Sequence, residues 1–345
     1  MNLERIRNVP LPFAPSPPLA ARAFAGRLHL VAADLARGAV QHVAVGADGS
    51  GPPTPLPLAY PMGLVACRDR LVATGATADQ RPVALHLDAD GTVTARTPLP
   101  AEAPLLREPV PVCLADGPVV AWESYAGQGS VLTACRLTGD RAELVGSIGF
   151  PLFTPYADVA AAGHRLVAAR VDPATLELAL TALDDRLRPA TTTPVAAGVT
   201  AVCLAAVAAG LIVGWVETGG RLLVRRFDTE LAPSSPVITA AVVEPPATVS
   251  AVRLAADGHR LAVLHQTLLL ADPRLQEGSA PPVLEHPQRT TAEAVTAVDL
   301  ASAAVAGSTV LPQPAGTGGV AAADWLDGSL LVLHADTAAV SFYRT

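Results

Sequence analysis

Arg70-Leu71-Val72-Ala73-Thr74 is a short apolar run that follows a tight turn, and versions of it return along the whole chain. The other copies are Arg27-Leu-His-Leu-Val31, Pro118-Val-Val-Ala-Trp122, Arg165-Leu-Val-Ala-Ala169, Gly210-Leu-Ile-Val-Gly214, Arg260-Leu-Ala-Val-Leu264 and Ser329-Leu-Leu-Val-Leu333. Successive copies start 43, 48, 47, 45, 50 and 69 residues apart. A period of that length holds four short strands, and seven copies imply seven such units.

A second apolar segment precedes each copy, as in Gly63-Leu-Val-Ala-Cys67, and Asp-Gly often lies between the two: Asp116-Gly117, Asp257-Gly258 and Asp327-Gly328. Asp-Gly between apolar runs is a hairpin signal, because the tight turns that suit strand twist need positive φ. These runs are strands a and b of a unit. A second hairpin, c–d, closes on a proline signature in Val40–Pro57 (Thr54-Pro-Leu-Pro57), Val83–Pro100 (Thr97-Pro-Leu-Pro100) and Val295–Pro312 (Thr309-Val-Leu-Pro312), each 18 residues long. Proline suits an outermost strand, whose free edge needs no backbone donor.

The same ending stands near the N-terminus, Asn8-Val-Pro-Leu-Pro12, without a strand before it, and the chain ends on an unpaired strand, Val340-Ser-Phe-Tyr-Arg-Thr345. Joined, the two termini make one more 18-residue hairpin. The expectation is an all-β chain, 1–345, forming a single seven-bladed β-propeller. Residues 3–12 supply the outer closing strand of the last blade (319–345). Residues 271–294 form a long b–c loop inserted in blade six, and Thr290-x-x-Glu293 matches a capping box that can start a short helix there.

This organisation resembles the seven-bladed β-propeller superfamily, which includes WD40, YVTN-type, lactonase-like and lyase-like propellers. The resemblance spans the chain and consists of period and closure; Asp324-Trp325 reverses the Trp-Asp of the WD40 signature. It implies a central channel with loops gathered at its mouth, on a fold that hosts enzymes and interaction platforms alike.

Half the residues are hydrophobic and 16% are charged, which argues against disorder. All 24 basic residues are Arg, a bias of GC-rich, actinobacterial-like coding. A net charge of −7 without an Arg cluster argues against nucleic acid as a partner. No run of eighteen apolar residues and no apolar leader segment occurs, so neither a membrane partner nor export is expected and the cytoplasm is the default location. Cys67, Cys113, Cys135 and Cys203 have no CxxC spacing and are read as reduced, mainly core, residues in preference to zinc ligands or disulfides.

No phosphate loop, nucleophile elbow or HExxH motif is present. The aligned strands b offer a better search. Their shared face is apolar for two columns and then turns polar, with Glu123, Arg170, Trp215, His265 and His334, followed one step later by Tyr125. The connections between blades bring Tyr60, Arg107, Glu108, Tyr156 and Glu244 to the same rim. One expectation is therefore a small-molecule site at the channel mouth, on which a lyase, hydrolase or cyclase chemistry can be built. In it His265, His334 and Glu123 act as acid, base or metal ligands, while Arg170, Trp215 and Tyr125 hold the substrate. No resident metal is assigned and the cofactor is unknown. The alternatives are a Glu123–Arg170 salt bridge between neighbouring blades, and a non-catalytic scaffold that binds a protein partner on the propeller face.

Overall fold

A computed structural model describes residues 3–101, 105–150, 157–244, 247–269, 289–311, 322–333 and 338–344. Among them every regular element is a strand, and the strands form seven antiparallel sheets. Blade 1 holds β2 (Ser16–Phe24), β3 (Arg27–Asp34), β4 (Ala39–Gly46), β5 (Gly49–Ser50) and β6 (Thr54–Leu56). Blade 2 holds β7 (Tyr60–Cys67), β8 (Arg70–Ala76), β9 (Pro82–Leu87) and β10 (Val93–Pro98); blade 3 holds β11 (Leu105–Leu114), β12 (Gly117–Ala126), β13 (Gly129–Thr138) and β14 (Arg141–Phe150). Blade 4 runs β15 (Ala157–Ala162), β16 (Arg165–Val171), β17 (Leu178–Leu183) and β18 (Pro189–Ala196). Blade 5 runs β19 (Val199–Val207), β20 (Gly210–Glu217), β21 (Arg221–Phe227) and β22 (Ile238–Val242). Blade 6 has β23 (Ala247–Asp257), β24 (Arg260–Leu269), β25 (Arg289–Asp299) and β26 (Ala304–Val310). Blade 7 has β27 (Ala322–Leu326), β28 (Ser329–Leu333) and β29 (Ala339–Arg344), with β1 (Glu4–Pro10) as its fourth, outermost strand. The chain is a seven-bladed β-propeller.

The ring closes as the termini predicted. β1 pairs antiparallel with β29 from Glu4 opposite Arg344 to Pro10 opposite Ala339, and Leu11 N–H extends the pairing to the Ala338 carbonyl at 2.7 Å. The Arg7 guanidinium lies 4.2 Å from the Phe342 ring centre, a cation–π contact across this seam.

Turn chemistry fixes the hairpins. Asp327 and Gly328 both take positive φ, 48° and 77°, the requirement of a two-residue hairpin turn. A second device governs several c–d turns. Asp88, Asp184 and Asp228 each accept the N–H groups two and four residues on, at 2.8 to 3.0 Å. The residue three on, Gly91, Leu187 or Leu231, then adopts positive φ. A leucine there costs about 1–2 kcal/mol. Burial of each side chain to 1–2% exposure returns a similar amount, roughly 2 kcal/mol.

The core is a set of seven layers, one in each seam between blades. Alternate residues along strand b face the preceding and the following blade, so Leu71 and Ala73 pack on blade 1 while Val72 packs on blade 3. Blade 3 departs from the sequence alignment by one residue. Leu114 pairs with Gly117, so the turn residues are Ala115-Asp116 and Gly117 opens the strand; Asp116-Gly117 is not the turn pair. The counterpart of Arg70 is therefore Gly117 and not Pro118. In consequence Val120 and Trp122 face blade 2, whereas Val119, Ala121 and Glu123 face blade 4. A one-residue shift reverses every side chain of a strand.

Inner-strand carboxylates stitch the seams. Asp158 on β15 accepts its neighbour Val159 N–H and the Leu204 N–H of β19, both at 2.8 Å. Asp324 on β27 does the same with Trp325 N–H at 2.9 Å and the Ala23 N–H of β2 at 2.8 Å. Each satisfies a donor on the edge of the next blade's first strand, which has no further strand to pair with.

Two expectations are corrected. Residues 289–294 are strand, not loop or helix: β24 and β25 pair out to Leu269 opposite Arg289, in a segment whose β-branched Thr290 and Thr291 favour extended backbone, with a bulge at Thr291. Residues 271–288 of the expected insertion lie outside the described residues. The cysteines are not all reduced. Cys67 at the end of β7 and Cys113 near the end of β11 form a disulfide between blades 2 and 3, with Cα atoms 5.2 Å apart, while Cys135 and Cys203 are free and buried. The two strands are neighbours at the ring centre although 46 residues separate the sulfurs. Loop closure of that size removes up to roughly 4 kcal/mol of unfolded-state freedom. Dithiothreitol, or Cys67→Ser with Cys113→Ser, is expected to lower the unfolding free energy by about 2–4 kcal/mol, read from the urea midpoint and slope with and without reductant.

A histidine pair is buried in the seam between blades 1 and 2. His29 Nδ1 and His42 Nε2 are 2.9 Å apart, and the second His29 nitrogen lies 3.2 Å from the Phe24 carbonyl. Burial, then the neighbouring His29, lowers the His42 pKa to about 4; burial lowers that of His29 as well. Asp88 and Asp90 oppose these shifts from blade 2, and Arg27 reinforces that of His29. The unfolded chain therefore binds protons that the fold refuses. Stability is full above pH 6.5 and falls as pH drops from there towards 4, by up to about 3 kcal/mol for His42. Urea midpoints measured from pH 8 to 4.5 should show this slope, and His42→Gln should flatten it between pH 7 and 5.

Candidate functional site

The first strands of the blades surround the channel, and strands b stand behind them. On β12, Glu123 faces blade 4; on β16, Arg170 faces blade 3. The reversal of blade 3 brings them together. Arg170 Nη2 donates to Glu123 Oε1 at 2.9 Å, and the Ser130 hydroxyl donates to the same oxygen. The guanidinium also stacks on the Phe150 ring of β14, its carbon 3.1 Å from the ring centre. Glu123 is 2% exposed, so this is a nearly dry ion pair held by two further contacts. It is the neighbour-blade salt bridge weighed from the sequence.

Beside the pair opens a cavity of about 360 Å³, at the seam of blades 3 and 4. Leu106, Val110, Leu132 and Val159 give it apolar walls, and Glu108, Glu123, Asp158 and Arg170 its charges. Glu108 sits at a bulge of β11, between the pairs Arg107–Glu123 and Val110–Ala121, which turns it from the ladder. It is open to solvent, yet the surrounding walls desolvate its carboxyl enough to raise its pKa, against the pull of Arg253. Arg253 enters from β23 on the other side of the ring and donates to the Leu19 carbonyl of β2 at 3.4 Å. Enclosure lowers its pKa, and Glu108, Asp158 and Glu293 act in the opposite direction.

The remaining rim residues do not join this cavity. Trp215 is 2% exposed in the seam between blades 4 and 5, where its indole N–H meets no hydrogen-bond partner among the described residues. His265 faces blade 5 and lines a different cavity with Ala240, Val242, Thr296 and Ser308. Burial lowers its pKa and keeps the ring neutral, and its Nδ1 has no partner among the described residues. Tyr125 stands 49% exposed at the end of β12, and Tyr60 59% exposed at the start of β7. His334 and Tyr156 lie outside the described residues. Among those described, no group of three or more His, Cys, Asp or Glu side chains is placed to hold a metal ion.

Sequence alignment of strands b overlooked Asp158 and Arg253, which belong to strands a. The available signal was a charge inside an apolar inner-strand run, as in Val252-Arg253-Leu254.

Replacing Glu123 by Ala strands the Arg170 guanidinium in a desolvated seam and is expected to cost about 3 kcal/mol. The double change Glu123→Leu with Arg170→Met should cost less than Glu123→Ala alone, a comparison that urea denaturation of the variants decides.

No protein-family model matches the chain, and no curated protein matches it. Among solved structures, a chain in "Crystal Structure of Mitotic Checkpoint Complex" is similar over 100% of this chain and 95% of its own, with a TM-score of 0.53 at 12% identity. A chain of Kuenenia stuttgartiensis hydrazine synthase aligns over 80% of this chain and 74% of its own, with a TM-score of 0.49 at 15% identity. The first likeness is one of fold; the second is too distant to carry an argument.

Proposed function

We propose that this propeller binds a small molecule in the cavity between blades 3 and 4, beside the channel. The observation that carries this reading is the nearly dry Glu123–Arg170 pair forming one wall of a 360 Å³ space whose other walls are largely apolar. Small-molecule sites are concave, mostly apolar and oriented by a few fixed polar groups, in roughly that size range. Ser130 and Phe150 hold the pair from behind, so its geometry exists before a ligand arrives.

The binding reading uses Glu123 and Arg170 and leaves acid–base catalysis aside. Glu123 and His265 line separate cavities, so a joint proton-transfer role for them has no shared substrate position. A second reading, a docking face for a protein partner, is favoured by the exposed Tyr60 and Tyr125 at the mouth, since exposed aromatics often anchor interfaces. Among the described residues no helix is long and apolar enough to cross a membrane. The Cys67–Cys113 disulfide favours an oxidising compartment over the cytoplasm expected from sequence.

Val110 lines the cavity from β11 and is only half-buried, so Val110→Phe fills the space with little strain. Ligand-observed NMR against a library of polar metabolites and small amines and acids is expected to give hits weakened at least tenfold by Val110→Phe. Hits that bind the variant equally well, or no hits at all, would refute the cavity as the site.

A further inference from the structure

We propose that the ligand of this cavity is a protonated amine on an apolar body, with Glu108 as the carboxylate that receives it. The proposal rests on the small-molecule reading above and adds the sign of the ligand's charge.

The described lining residues carry three carboxylates, Glu108, Glu123 and Asp158, and one guanidinium, that of Arg170, and the carboxylates differ in how they are engaged. Arg170 and Glu123 neutralise each other at 2.9 Å. Asp158 spends an oxygen on each of two backbone N–H groups, in its own blade and in blade 5. Glu108 has no hydrogen bond or ion pair within 4 Å among the described residues, and its only stabilising charge is the more distant Arg253. Arg253 is shared with Asp158 and Glu293 and bonded to the Leu19 carbonyl, so it cannot serve Glu108 alone. The elevated Glu108 pKa agrees with an under-compensated anion beside apolar walls.

A carboxylate so placed gains most from a cation that brings its own N–H donors and leaves little of itself in water. An ammonium head meets those terms, while Leu106, Val110 and Val159 can cover an apolar body. An anionic ligand would be repelled by Glu108, and Arg170, the cation among the described lining residues, already has its partner. A neutral ligand would leave Glu108 desolvated further with nothing in return.

Isothermal titration of the full chain at pH 7.5 and low salt, with phenethylamine, 3-phenylpropanoate and 3-phenylpropan-1-ol as probes, tests this. The amine is expected to bind at least tenfold more tightly than either of the others, and Glu108→Gln is expected to remove that preference. An acid or alcohol that binds as well as the amine, and is lost in Val110→Phe, overturns the amine while leaving the cavity reading intact. Amine binding that Glu108→Gln does not weaken also overturns it. Failure of all three probes at about 5 mM, alongside an empty library screen, sinks both. The comparison of probes uses the unaltered chain, so it stands even where the variant folds poorly.

Discussion

Every blade of this protein has two apolar faces, and neither can be left to water. That single constraint organises the rest of the molecule. A sheet with one oily face can lie on a core; a sheet with two needs a neighbour on each side, and only a closed ring gives every member both neighbours. The buried residues accordingly fall into seven layers, each shared by two adjacent sheets. Residues that touch the same layer lie far apart in sequence in the two layers that flank blade 7: Val9 and Leu11 share one with Leu28, Leu331 and Phe342, and Leu3 shares the other with Ala255, Leu330 and Tyr343. Non-local contact is concentrated at those two seams, while the other five form between consecutive stretches of chain.

The features legible in the sequence were those written locally. Tight turns need particular residues, the four-strand unit has a fixed length, and an outer edge tolerates proline, so the period, the blade number and the closing strand follow from the chain directly. Direction was harder. The two-residue alternation says that Val119, Ala121 and Glu123 share a face but not which neighbour that face meets, and Asp116-Gly117 misled by sitting one position late. Glu123 and Arg170 were picked out as equivalents in two blades; they meet because they are not equivalents. Cys67 and Cys113 were read as separate core residues because nothing local reveals that the ends of two inner strands touch. The Asp-x-x-Leu turns at 184 and 228 escaped notice for a different reason: a leucine in a left-handed turn looks like a core residue, and it is one.

Polar groups in the interior follow the logic of the ring as well. The first strand of each blade has one unpaired edge, and bringing seven of these together leaves backbone donors without strands to bond. Asp158 and Asp324 meet part of that demand from the preceding blade. A carboxylate used this way holds two sheets in register and has little freedom for a ligand. Glu108 differs because a bulge lifts it off the ladder, so among the described residues it has no strand edge and no hydrogen-bonded guanidinium, only the more distant Arg253. The binding proposed above would use a place where the regular bonding pattern breaks: blade 3 has two bulges in β11 and a shifted strand beside the cavity.

The closing strand has a mechanical consequence. β1 and β29 run antiparallel with Glu4 opposite Arg344, so the two ends of the chain emerge side by side at the same end of the seam. A force pulling the termini apart would load the ladder one rung at a time, from Glu4–Arg344 towards Pro10–Ala339, instead of shearing all rungs together. The ring would therefore unzip under small loads applied through its ends, while forces applied between blades meet whole interfaces and, between blades 2 and 3, a covalent bond.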